Sequence, residues 1–182
     1  FLMKQLLFAF FILMYCTTIN AQNIADEKAN NQLFESNEVL EFTLKGNIKA
    51  VTNDRATNSQ YRPLQLIYTQ PNGEQLTIPL EVKTRGHFRK LKGNCVYPPL
   101  LLSFSKTDAL KSSVFKGQNK LKLVMPCVGD EYVVREWLVY KLYNLVTPYS
   151  FKARLVKVKL EDSLNKKVVA PFYGLLLEEE KV

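Results

Sequence analysis

PLQLIYTQPNGEQLTIPLEVKTR, residues 63–85, folds back on itself. Asn72-Gly73 at its middle tolerates the positive φ that a tight turn demands. Behind the turn, Leu76, Ile78, Leu80 and Val82 share one face, while Thr77, Pro79, Glu81 and Lys83 share the other. Successive side chains of a strand point to opposite sides, so a period of two marks a half-buried strand. The stretch reads as a β-hairpin. Pro79 has no N–H to give to a ladder, which places its strand at or near a sheet edge.

The segments on either side extend the sheet. Residues 39–51 alternate around Phe42 and Leu44, break at Gly46-Asn47 and resume at Ile48, as a bent strand or two short strands would. After the hairpin, Pro98-Pro99 opens an apolar run over 100–104, and a second alternating run spans 120–125. A short helical turn is expected within 108–117. Residues 152–161 and 170–178 read as two more strands around the turn Asp162-Ser163-Leu164-Asn165.

One long helix is expected over 131–146, with Asp130 as its N-cap and Pro148 beyond its end. Its apolar residues Val133, Val134, Trp137, Leu138, Val139, Leu142, Leu145 and Val146 cover more than one stripe. The polar residues Glu131, Arg135, Glu136, Lys141 and Asn144 gather on no single face, which predicts a helix enclosed on several sides. Seven strands and one packed helix, without repeats or a βαβ rhythm, predict an α+β fold: a largely antiparallel sheet with one enclosed helix.

The chain has 182 residues, of which 47% are apolar and 12% aromatic, a composition that excludes low-complexity and fibrous classes. Met3-Lys4, the apolar run 6–15 and Ile19-Asn20-Ala21 form a secretory signal peptide over 1–21. The run is shorter than the ~20 apolar residues of a spanning helix, so no transmembrane span is expected after cleavage. A polar tail over 22–37 then leads into a single α+β domain over 38–182. The buried strand before Glu178-Glu179-Glu180-Lys181-Val182 and the start at Phe1 suggest a domain truncated at its carboxyl end.

Export, to a periplasm, the cell surface or the medium, removes Cys16 and brings Cys95 and Cys127 into an oxidising compartment, where a disulfide is expected. In the chain-entropy picture that link contributes about 3–4 kcal/mol. With His87 as the single histidine, the two cysteines do not make a four-ligand zinc site.

Lys and Arg number 25 against 17 Asp and Glu, a net charge of +8 that falls by one when Lys4 leaves with the signal peptide. The expected partners are anionic: phosphate, a nucleotide, acidic glycan or a lipid surface, with nucleic acid out of place for an exported chain. A hydrolytic triad lacks an oriented base beyond His87, and GxGxxG, GxxxxGK[ST] and HExxH do not occur. The basic run Lys83-Thr84-Arg85-Gly86-His87-Phe88-Arg89-Lys90 is a candidate anion-binding patch through Lys83, Arg85, Arg89 and Lys90, or else a solvated loop. Arg85-Gly86 is its most specific part: guanidinium grips an anion with two N–H groups, and glycine lets the backbone turn beside it.

LEVKTRGH over 80–87, the strand 100–104, FKGQNKLKL over 115–123, a helix with Arg135, Leu138, Tyr140 and Leu142, and FYGLLLE over 172–178 follow one another in order. The series resembles the amino-terminal part of the CotH-type (spore-coat CotH-like) atypical protein kinases, as found in a secreted bacterial subgroup. It departs from that pattern at His87, Val139 and Leu176, where the family usually has Asn, Ala and Tyr.

The resemblance implies a kinase-like small lobe. It also implies ATP and magnesium bound in the complete protein, and phosphoryl transfer to a protein substrate. Arg85, Lys122, Arg135 and Glu136 fall to nucleotide contact, the last as a helix carboxylate partnering a strand lysine. The family's catalytic and metal-binding aspartates lie in a large lobe further along, so the chain alone is expected to be inactive, with no catalytic residue and no metal ligand of its own. The alternative is a non-catalytic extracytoplasmic module that binds anionic glycan or lipid.

Overall fold

Strand alternation recurs along the chain, and in the computed structural model, which describes residues 32–179, seven strands close a barrel. The seven strands are β1 (Leu40–Gly46), β2 (Arg62–Thr69), β3 (Gln75–Thr84), β4 (Leu100–Phe104), β5 (Lys120–Val124), β6 (Ala153–Asp162) and β7 (Lys167–Glu178). Around the barrel they run β1-β2-β3-β4-β5-β7-β6 and return to β1. All neighbours are antiparallel except β1 and β6, which pair in parallel from Leu40↔Val156 to Gly46↔Asp162.

That closure corrects the expected fold class. The molecule is a closed mixed barrel with a few short helices, not an α+β kinase small lobe around an enclosed helix. Alternation reports that one face of each strand is buried. It is silent on whether the two sheet edges meet, and here the joining strands lie at opposite ends of the domain. The expected signal peptide, the first part of the polar tail (22–31) and residues 180–182 fall outside the described residues.

The inward positions fill the barrel. Leu44, Leu66, Ile78, Val82, Leu102, Leu121, Leu123, Val158 and Leu176 are fully buried in one cluster. Phe115, from the connection between β4 and β5, is a central aromatic plug, with edge contacts to Phe42 at 6.1 Å and Tyr68 at 5.9 Å and a stacked contact to Phe104 at 5.6 Å. Gly174 sits where β7 passes between β5 and β6. A Cβ there would lie 3.2 Å from Val156 Cγ2 and 3.3 Å from the Val124 carbonyl oxygen, so a larger residue would crowd its neighbours by a few tenths of an ångström, a limit of space rather than of backbone conformation.

Two short readings change in the structure, and a third holds. Residues 39–51 are strand β1 followed by helix α1 (Ile48–Asn53), not a bent strand: the Asn47 side chain accepts from the Ala50 N–H at 3.0 Å and caps the helix. Pro79 lies in a central strand. Pairing of β3 with β4 begins only at Leu80, so the proline sits just past the end of that ladder, where its missing donor costs nothing. The helical turn expected within 108–117 is α2 (Asp108–Lys111), capped by the Thr107 hydroxyl.

The long helix α3 (Glu131–Val146) has the expected bounds but not the expected surroundings. It lies on the outside of the barrel, where Val133, Trp137 and Tyr140 pack on Val124, Leu175, Leu177 and Ala153. Its other faces are open, with Leu145 and Val146 exposed by 85% and 84%. Asp130 does not cap it through its side chain. The carboxylate instead accepts from the Tyr173 N–H at 3.2 Å, fastening the helix start to β7.

Candidate functional site

Several of the side chains singled out in the sequence lie on the outer face that α3 partly roofs. Val82 and Thr84 point inward, so Lys83 and Arg85 stand outward. The Arg85 N–H donates to the Pro99 carbonyl at 2.9 Å, extending the β3–β4 ladder by one residue. Gly86 then turns at φ 83°, a left-handed conformation that favours glycine, and the chain enters a 3-10 turn at Phe88–Lys90. On β5, Lys122 shares its face with Val124, the residue on which α3 packs.

Helix α3 brings Glu136 and Tyr140 down to this surface. Arg89 places Nη1 3.7 Å from Glu136 Oε2 and donates from Nη2 to the Met125 carbonyl at 2.8 Å. Burial pushes the Tyr140 phenol above its ordinary value, and the Glu136 charge adds to the shift; the Arg85 guanidinium opposes it. Tyr140 therefore lies within the fields of both Glu136 and Arg85. Lys122 is buried, its Nζ 4.7 Å from the Phe151 ring centroid. Of the four residues assigned to nucleotide contact, Arg85, Lys122 and Glu136 share this face. Arg135 does not: it is exposed, turned round the helix over the Tyr132 ring at 5.3 Å.

The basic run is not one exposed patch. Lys83 holds Nζ over the Tyr61 ring at 4.5 Å. Lys90 is buried, donating to Ser59 Oγ at 3.1 Å and the Thr57 carbonyl at 3.4 Å, and Ser59 in turn donates to the Thr84 carbonyl. Arg89 is committed to Glu136 and Met125. Arg85, by contrast, is half-buried and has neither a side-chain hydrogen bond nor a carboxylate partner among the described residues.

The Cys95–Cys127 disulfide is formed, with Cα atoms 4.5 Å apart. It ties the loop after Lys90 to the segment between β5 and α3, holding the Arg89 loop against the helix start. A small cavity of about 140 Å³ opens there, lined by Arg89, Cys127, Val128, Tyr132, Val133 and Glu136.

Sequence reasoning missed three polar anchors. Arg55 donates to the carbonyls of Thr52, Lys90 and Val96 and so wraps the loop beneath the basic run. Arg154 is buried inside one end of the barrel and donates to the Leu33 carbonyl at 3.0 Å. Asp162 organises the β6–β7 turn. Only the last had a signal, an Asp opening a turn-like tetrapeptide.

Among the described residues no group of three or more His, Cys, Asp or Glu is placed to hold a metal ion, and no helix is long and apolar enough to cross a membrane. His87 is exposed in the loop after Gly86. No family model matches the chain, and no curated protein matches it either.

Proposed function

We propose that this chain is an exported binding module for a phosphate-bearing ligand, a nucleotide in the reading suggested by its resemblance to CotH-type kinases, with Arg85 as the principal phosphate contact. The observation that carries the proposal is the state of Arg85. Among the described residues it is the half-buried cation of the basic run with no side-chain hydrogen bond, carboxylate or ring partner, and it lies beside the raised phenol of Tyr140 and before a left-handed glycine. A guanidinium binds phosphate through two parallel N–H groups, and partial burial strengthens such a contact over one in open water.

The proposal is one of binding and includes no transfer step. The Arg85 guanidinium fits a phosphate, whereas the described residues supply no acidic set for magnesium. A second feature supports an interaction role. Leu138, Val139, Leu142, Leu145 and Val146 form an exposed apolar face on α3, and a contiguous apolar surface of this kind marks an interaction site.

Calorimetric titration with ATP, adenosine, inorganic phosphate and polygalacturonate tests the reading. ATP is expected to bind saturably and adenosine not at all. Arg85→Ala should weaken ATP binding about tenfold to a hundredfold, as loss of a charge-assisted hydrogen bond would. Absence of ATP binding, or equal affinity in the variant, overturns the proposal. Salt-sensitive binding of polygalacturonate without ATP binding supports the glycan-binding alternative in its place.

A further inference from the structure

A second site lies at the mouth of the barrel where β1 and β6 end together. Between α1 and the β6–β7 turn is a cavity of about 350 Å³. Barrel mouths are common small-molecule sites, and this volume is at the lower end of the ~300–1,000 Å³ such sites occupy. Ile48, Leu160, Val169 and Tyr97 supply its apolar lining. The Tyr97 ring is held in place by stacking on Phe172, with centroids 5.4 Å apart and planes at 21°.

The polar lining is one-sided in charge. Its single carboxylate, Asp162, is committed to the frame: Oδ1 accepts from the Leu164 N–H at 3.1 Å, the Asn165 N–H at 2.8 Å and Asn165 Nδ2 at 2.9 Å, while Oδ2 accepts from the Lys49 N–H at 2.7 Å. Lys49 from α1 and Lys167 from β7 both line the cavity. Neither ammonium has a hydrogen bond or carboxylate partner among the described residues, and nearby Glu161 already pairs with Lys45 and Lys159. Two unpartnered cations over an apolar, aromatic floor suit a ligand that is anionic at one end and apolar at the other.

We infer that the barrel mouth binds a small organic anion, whose carboxylate or phosphate head is held by Lys49 and Lys167 and whose single ring or short apolar body rests on Ile48, Leu160, Val169 and Tyr97. The site is separate from Arg85, so it stands or falls independently of the phosphate-binding proposal.

The test is amide chemical-shift mapping of the folded chain with benzoate, phenyl phosphate and the uncharged isostere benzamide. At least one anion is expected to give saturable shifts at Lys49, Thr52, Asn165 and Val169, with benzamide giving none; which anion binds assigns the head group. The double variant K49Q/K167Q should bind about tenfold more weakly with an unchanged melting temperature, because both lysines are exposed. Arg85→Ala should leave these shifts intact. No saturable shift with either anion, equal shifts with benzamide, or wild-type affinity in K49Q/K167Q overturns the inference.

Discussion

Asp162 shows how one carboxylate can hold two elements together. The four N–H groups it accepts come from the β6–β7 turn and from the start of α1, and these bonds hold its carboxyl below the usual aspartate range. A depressed folded pKa means that the unfolded chain takes up the proton first as the solution is acidified. The stabilisation is therefore fully present above the ordinary aspartate pKa and is lost as pH falls through the lower folded value. Asp162→Asn keeps one acceptor but faces a donor to the Lys49 N–H. Its melting temperature should lie below wild type at neutral pH, with the gap closing as the solution is acidified through the folded pKa; a gap independent of pH would contradict this role. The turn was legible beforehand but the reach of its carboxylate to α1 was not, because an Asp in a turn looks the same whether it accepts from one donor or four. Arg85-Gly86 was legible for the opposite reason, as a glycine that needs a positive φ next to a guanidinium is a local feature. Lys90 was not: a run of basic residues reads as one surface until burial separates the lysine that packs inward from the arginine left half-exposed.

Helix α3 illustrates the same divide between local and distant causes. Its limits follow from the Asp130 and Pro148 boundaries and from a continuous apolar pattern, and the helix has the expected ends. Its environment does not follow, because an apolar residue reports a preference for burial without naming what buries it. The barrel covers the side carrying Val133, Trp137 and Tyr140 and leaves the side carrying Leu142 and Leu145 open. The two sides should answer mutation differently. Trp137→Ala is expected to cost about 3–5 kcal/mol in urea unfolding, as large-to-small changes at packed aromatics do. L142E/L145E should change stability by no more than about 0.5 kcal/mol per site while raising solubility. A large loss of stability in the outer-face variant would show that those residues pack in the isolated chain.

Across the molecule, the pairings that were legible are those between neighbours in sequence, such as the β2–β3 hairpin, whose Asn72-Gly73 turn announces itself. Closure by the parallel β1–β6 pair was not, since no residue in either strand names the other. The disulfide was legible by another route, as Cys95 and Cys127, the two cysteines outside the expected signal peptide, had only each other. It clamps the loop after the basic run to the segment before α3, so C95A/C127A should lose about 3–4 kcal/mol of stability by the loop-entropy argument. Chemical denaturation measures that loss, and an unchanged midpoint would mean that the barrel holds the loop without it. These supports converge on the surface around Arg85, and the chain's single tryptophan, Trp137, belongs to the helix that roofs it. The most direct measurement is Trp137 fluorescence during titration with ATP, on wild type and Arg85→Ala side by side. A saturable change in wild type, with a midpoint at least about tenfold higher in the variant, is the predicted result. A flat titration, or the same midpoint in both proteins, would contradict phosphate recognition at Arg85.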